Sequence, residues 1–160
     1  VNGIELSDDI DAVVGMVCLS KDDQSTQVLV VSERGLGKRT PFLMKNEETG
    51  TLETTYRVTN RGGKGVKTIN ITEKTGSLVG LLSVEEENDL MITCKSGITI
   101  RMGVEAIREA GRATQGVKLI NIDDGDEIAA IARLEDKEED DEAGIDETGE
   151  DTNTEETTTE

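Results

Sequence analysis

Apolar residues along positions 1–134 fall into short runs, and the runs repeat. Val1-Asn2-Gly3-Ile4-Glu5-Leu6, Val66-Lys67-Thr68-Ile69-Asn70-Ile71 and Val117-Lys118-Leu119-Ile120-Asn121-Ile122 superimpose, with apolar side chains at alternating positions. Each is followed about a dozen residues later by a second apolar run, at 13–19, 78–84 and 128–134. A further pair extends the pattern: Val28-Leu29-Val30-Val31-Ser32-Glu33-Arg34-Gly35 matches Leu90-Met91-Ile92-Thr93-Cys94-Lys95-Ser96-Gly97. Each member of that pair leads into a short segment ending at Arg39 or Arg101. Alternating, β-branched runs bounded by Gly, Asp and Asn predict strands, and their recurrence predicts a repeat architecture.

The repeating unit has four strands. Cut before Val28, the chain divides into half a unit (1–26), a complete unit (27–88) and a last unit (89–134). Four-stranded units of this length build propeller-like rings, which usually need ~4–8 blades to close. The expected fold is therefore all-β, a propeller-like set of about two and a half blades, with the natural domain continuing upstream of Val1. Helices are scarce; 104–109 has room for one turn. The connector 41–56 is longer than its counterpart 103–110 and predicts a surface excursion.

Charge changes this picture at one end. The chain carries a formal net charge of −18, but residues 135–160 hold 14 acidic and one basic residue, so most of the acidity belongs to a tail. With almost nothing apolar to bury, that tail cannot offset the entropy of ordering and is expected to be disordered. It serves solubility or competes intramolecularly for a basic surface. The longest apolar stretch, 12–19, is far short of the roughly 20 residues that cross a bilayer, and no signal peptide opens the chain. The expectation is a soluble, non-membrane chain. There is no His, which removes the commonest general base and zinc ligand. Cys18 and Cys94 sit in apolar runs and are expected to be buried thiols.

The basic residues before the tail are not scattered. Arg34, Lys38 and Arg39, then Arg57, Arg61, Lys64 and Lys67, then Arg101, Arg108, Arg112 and Lys118 lie around equivalent strand ends and connectors. In a radial repeat such positions share a rim, and a basic rim suits a polyanion, because each Lys or Arg that neutralises a phosphate releases counterions. A solvated rim without a partner is the alternative. Arg61-Gly62-Gly63-Lys64-Gly65 and Gly111-Arg112-Ala113-Thr114-Gln115-Gly116 occupy the same place before a repeated strand. Glycine beside cations admits a sugar-phosphate chain closely; a tight turn uses glycine equally well.

The run Thr59-Asn60-Arg61-Gly62-Gly63-Lys64-Gly65 resembles the box of the C-terminal domain of bacterial DNA gyrase A, agreeing at the last five of seven positions. Gly35-Leu36-Gly37-Lys38-Arg39-Thr40 and Gly111-Arg112-Ala113-Thr114-Gln115-Gly116-Val117 are similar to recurring segments of that family's last blades. The resemblance covers residues 1–134, and an acidic tail after the last blade is similar too. It departs in placement: in the family the full box belongs to the first blade, so Arg61 to Gly65 reads as a degenerate copy. The resemblance implies a β-pinwheel that wraps duplex DNA for negative supercoiling, with DNA-binding residues Arg34, Lys38, Arg39, Arg57, Arg61, Gly62, Gly63, Lys64, Gly65, Lys67, Arg101, Arg108, Arg112 and Lys118. It also implies partners in the rest of gyrase A and in gyrase B, together a heterotetramer, a cytoplasmic place on the bacterial chromosome, and ATP and Mg used on other domains. No cofactor, metal or catalytic site is expected within these residues.

Other motifs fail. Gly37-Lys38 is not a P-loop, because Arg39 stands where Ser or Thr binds magnesium. Tyr56, the only tyrosine, has no basic pocket around it, and the resemblance places the DNA-cleaving tyrosine upstream. Asp8-Asp9 and Asp123-Asp124 read as turn residues. The rival readings are the equivalent domain of topoisomerase IV, a protein-interaction propeller without a DNA role, and an enzymatic propeller.

Overall fold

The computed structural model describes residues 2–135; most of the acidic tail lies outside them. The regular elements are strands β1 (Gln27–Ser32), β2 (Leu36–Pro41), β3 (Leu43–Lys45), β4 (Leu52–Thr54), β5 (Leu78–Val84), β6 (Asp89–Cys94), β7 (Thr99–Gly103), β8 (Val117–Lys118) and β9 (Ile128–Leu134). A single 3-10 turn, Val104–Ala106, follows β7. The all-β class expected from the periodicity is the observed one.

Two sheets carry the repeat. The first has the order β5-β1-β2-β8 and the second β7-β6-β9, all antiparallel. Their correspondence reaches single residues 62 positions apart. The register shifts between Val31 and Ser32 in one and between Thr93 and Cys94 in the other. Each bulge is followed by a turn whose glycine, Gly35 or Gly97, has positive φ.

The core explains the two kinds of apolar run. Every residue of β1 is buried, because its sheet is covered on both faces. Leu29 and Val31 join Val84, Leu90, Ile92 and Ile128 between the sheets. Val28 and Val30 face the other way, onto Ile69 with Leu19, Tyr56, Leu78 and Leu81. A strand buried on both sides must be apolar without alternation. β6 alternates instead, with Leu90, Ile92 and Cys94 buried and Met91 and Thr93 half-buried. Each fully buried Leu or Ile here stabilises the fold by roughly 1.5–3 kcal/mol.

The sheet boundaries differ from the sequence units. The fourth strand of the first sheet is β8, supplied by the following unit, with Leu36 opposite Lys118 and Gly37 opposite Val117. Only Val117 and Lys118 of the expected strand 117–122 form a ladder, where the edge of β2 lies beside them. Residues 66–71 and 13–19 are not strands, and of residues 2–6 only Ile4 makes an isolated bridge, to Gly63. Their pattern is the same as that of β8 and β5, but among the described residues no strand edge lies where their partners would be. Val13 and Met16 are accordingly exposed. Cys18 is exposed and Cys94 buried, so the expectation of two buried thiols holds only for Cys94. Burial, then the neighbouring Asp126 charge, pushes the Cys94 thiol above its ordinary value.

The 41–56 connector forms an outlying hairpin, β3 with β4, whose tip is exposed. Among the described residues no helix is long and apolar enough to cross a membrane.

Candidate nucleic-acid interface

The fourteen residues expected to meet DNA separate into two exposed clusters, an internal pair and a few outliers. The first cluster is the loop 57–65. Arg57, Arg61 and Lys64 are exposed and make no ion pair among the described residues. The loop alone lines a depression of about 500 Å³. Gly62 and Gly65 have φ of 72° and 77°, values that glycine adopts without penalty and other residues do not. The loop is pinned from beneath: the Gly62 N–H donates to Gly3 O and the Glu5 N–H to Gly63 O, each at 3.1 Å. Its cations are thus held outward while the backbone is fixed.

The second cluster brings together Arg34 and Lys118 of the expected set with Lys74, which sequence reasoning missed. With Gln115, Gly116 and Val117 they line a depression of about 420 Å³. β1 ends at the turn holding Arg34, whose N–H donates to Thr75 O at 3.1 Å. That bond docks the Lys74 turn, while Lys118 arrives on β8 opposite Leu36. Lys74 escaped notice because the corresponding turn of the next repeat, 123–126, is acidic. That acidic turn is itself close: Asp123, Asp124, Asp126 and Glu127 share a second depression with Arg34 and Lys118. The cluster is therefore a local positive field bordered by carboxylates.

β8 reaches this position through a close approach of two backbones. A Cβ on Gly116 would lie 2.5 Å from Gly37 O and 2.8 Å from Gly37 C, at a φ of 79°. No other residue fits there without moving main chain.

Lys38 and Arg39 do not belong to the surface, which corrects the expectation that they meet DNA. Lys38 is fully buried and Arg39 nearly so. Covering both faces of the first sheet buries the outward as well as the inward residue of β2. Arg39 Nε donates to Ile107 O at 2.7 Å, and Nη1 to Gln27 Oε1 at 3.1 Å and Glu86 Oε1 at 2.6 Å. Lys38 Nζ donates to Gly111 O at 2.5 Å and to Thr114 Oγ1 at 3.1 Å. Burial pushes the Lys38 ammonium down to about 8. These two cations hold the 105–114 segment from inside.

Arg101 occupies the place of Arg39 in the second sheet and pairs with Asp89, the counterpart of Gln27. It is exposed, because no equivalent of the 105–107 segment covers it among the described residues. Arg108 is exposed and Arg112 half-buried; Lys67 Nζ donates to Asn70 Oδ1 at 3.3 Å. Tyr56 packs beside Val28 and Val30, its hydroxyl 2.6 Å from Thr68 Oγ1. Among the described residues no group of acidic or Cys side chains is arranged to hold a metal.

Comparison with known proteins agrees with this architecture. A family model described as DNA gyrase C-terminal domain, beta-propeller, matches residues 26–42, 51–85 and 88–135. The gap at 43–50 falls on β3 and the tip of the outlying hairpin. The A subunit of DNA gyrase from Campylobacter fetus is 42% identical over 142 residues, 89% of this chain and 15% of that protein. Its counterpart from Staphylococcus epidermidis ATCC 12228 is 41% identical over 141 residues, covering 88% and 14%. The chain thus spans about a seventh of these relatives. Among solved structures, a DNA gyrase A C-terminal domain superposes with a TM-score of 0.55 at 23% identity, over 71% of this chain and 34% of that one. The C-terminal domain of DNA topoisomerase IV gives 0.65 at 14% identity, over 84% and 38%. At these identities the two structures speak to the fold.

Proposed function

The chain belongs to the DNA gyrase C-terminal domain family, and from that premise we propose that it binds and bends duplex DNA in support of negative supercoiling by a type II topoisomerase. Its partners in that role are double-stranded DNA, the rest of gyrase A, and gyrase B. Strand cleavage, ATP and magnesium belong to other parts of the assembly.

The observation that carries this reading is the 57–65 loop: three exposed cations without carboxylate partners among the described residues, interleaved with glycines in left-handed conformation. Such a loop offers charge to phosphates and lets the duplex backbone approach closely. The Arg34, Lys74 and Lys118 cluster adds a second point of contact. Contacts of this kind go to phosphates rather than to base edges, so sequence preference follows bendability rather than base identity. The modest negative charge outside the tail does not oppose this, because contact is made through local fields on the scale of the Debye length, ~8 Å at physiological salt.

The test is made in the full-length protein. Replacing Arg61, Lys64, Arg112 and Lys118 by Ala is expected to reduce supercoiling far more than relaxation, since relaxation does not need a wrapped segment. Equal loss of both activities would assign these residues to the fold. A chain that retains no DNA at low salt, even with residues 135–160 removed, would favour a protein-interaction module.

A further inference from the structure

An ammonium buried with no carboxylate beside it among the described residues is costly, by several kcal/mol before compensation, and β2 does not require one. At the equivalent position of β7, 62 residues on, stands Ile100. Lys38 lies opposite Val30 in the ladder, so its stem runs on the apolar side of the sheet. Its three N–H donors go to Gly111 O, Thr114 Oγ1 and, at 3.3 Å, Thr114 O. Thr114 O also accepts from the Asn70 N–H at 3.1 Å, and the Thr114 hydroxyl donates to Gly111 O at 2.9 Å. The ammonium thus closes a node that joins β2, the 111–116 loop and the 66–71 segment. The loop leads directly into the Gln115 and Gly116 wall of the second cationic cluster, where Gln115 Nε2 reaches Thr72 Oγ1 at 3.5 Å.

We propose that Lys38 is a positioning residue: its ammonium ties the 111–116 loop to β2 and thereby sets Arg112 in the geometry that meets DNA. The tie is local to this junction, since the second sheet has Ile100 in its place. The consequence for binding rests on the DNA-bending reading, whereas the tie itself does not. Charge reaches the surface at Arg112 and order is imposed from below by Lys38, so the two act in series. Removing either then has the effect of removing both.

The experiment uses the full chain with Lys38→Met, which keeps the stem and deletes the donors, and Thr114→Val, which deletes one acceptor at an exposed position. Thr114→Ser restores that acceptor. Amide hydrogen exchange without DNA is expected to speed up at Asn70 and Thr114 in both disruptive variants, to remain unchanged at Val30, and to return to the wild-type rate in Thr114→Ser. Binding of a fluorescein-labelled linear duplex is expected to weaken on the order of threefold to tenfold in Lys38→Met, and Lys38→Met with Arg112→Ala to bind as Arg112→Ala alone. Unchanged exchange at Asn70 and Thr114 overturns the tie. Affinity losses that multiply fully in the double variant overturn its role in positioning Arg112. If Lys38→Met does not fold, the Thr114→Val and Thr114→Ser pair decides. A wild-type chain that binds no duplex sinks the DNA reading, and the exchange rates still decide the tie.

Discussion

Replacing Arg39 by Met separates a structural cation from a DNA contact. The guanidinium makes two well-formed bonds to buried acceptors, Ile107 O and Gln27 Oε1, one to Glu86 and a longer one, 3.4 Å, to Glu105 O. The Arg39 side chain is 10% exposed and that of Glu86 62%. Glu86 therefore rehydrates when its partner goes, and its bond is worth little, ~0.5 kcal/mol. Ile107 O and Gln27 Oε1 are left dry without donors, each costing ~1–2 kcal/mol. Methionine keeps most of the apolar contact, so the net loss is about 2–4 kcal/mol. With a urea slope of ~2 kcal/mol/M, the middle of the range for small domains, the midpoint falls by about 1–2 M. Urea denaturation of the full chain followed by circular dichroism reads this directly. A stability change below ~0.5 kcal/mol, combined with a salt slope of DNA binding shallower by about one, would refute the internal assignment and return Arg39 to the phosphate contacts.

Two further outcomes follow from the packing around Gly116 and Lys38. Gly116→Ala and Gly97→Ala both place a side chain at positive φ, but at Gly97 nothing lies within 4 Å of the new Cβ, whereas at Gly116 it meets the Gly37 backbone. Gly97→Ala is expected to cost ~1 kcal/mol, and Gly116→Ala at least twice that by urea melting; equal costs would remove the close approach of β8 to β2. The second outcome concerns pH. Lys38 in the folded chain titrates at about 8 against an ordinary 10.5, so between those values the unfolded chain holds a proton that the folded chain has released. Stability therefore rises with pH across that window, while the neutral amine still has N–H groups to donate to the loop. The raised Cys94 thiol acts in the opposite sense above its ordinary 9.0, so the comparison is with Lys38→Met, which retains Cys94. Thermal midpoints that track each other in the two proteins from pH 8 to 10.5 would contradict the assignment.

Much of the architecture was legible because burial writes itself into period. The strands β1, β5, β6 and β9 stand where the repeated apolar runs are, and even the shared bulge follows the 62-residue offset. The runs at 13–19 and 66–71 carry the same pattern without becoming strands, since a ladder needs an edge to pair with and period alone does not report one. The recruitment of β8 into the preceding sheet was hidden for a related reason: pairing across units depends on the Gly37 and Gly116 approach, which is a matter of space. Lys38 and Arg39 were misplaced because a cation in sequence reads as surface. Their burial follows from a sheet covered on both faces, together with carbonyls of 107, 111 and 114 placed to receive them. Lys74 was missed because it breaks the repeat, where the next copy of its turn is acidic. The exposure of the 57–65 loop was legible because its charge and its glycines are local features.

Two exposed cationic clusters on a repeated-strand scaffold are proposed to take up duplex phosphates. The most direct measurement is the salt dependence of duplex binding by the full chain, compared with Arg57→Ala/Arg61→Ala/Lys64→Ala and with Arg34→Ala/Lys74→Ala/Lys118→Ala. If all six cations each neutralise a phosphate, log K against log salt has a slope of about −5, and each triple variant loses roughly half of it. A slope near zero in the wild-type chain, or one that neither triple variant changes, would rule out phosphate uptake by these clusters.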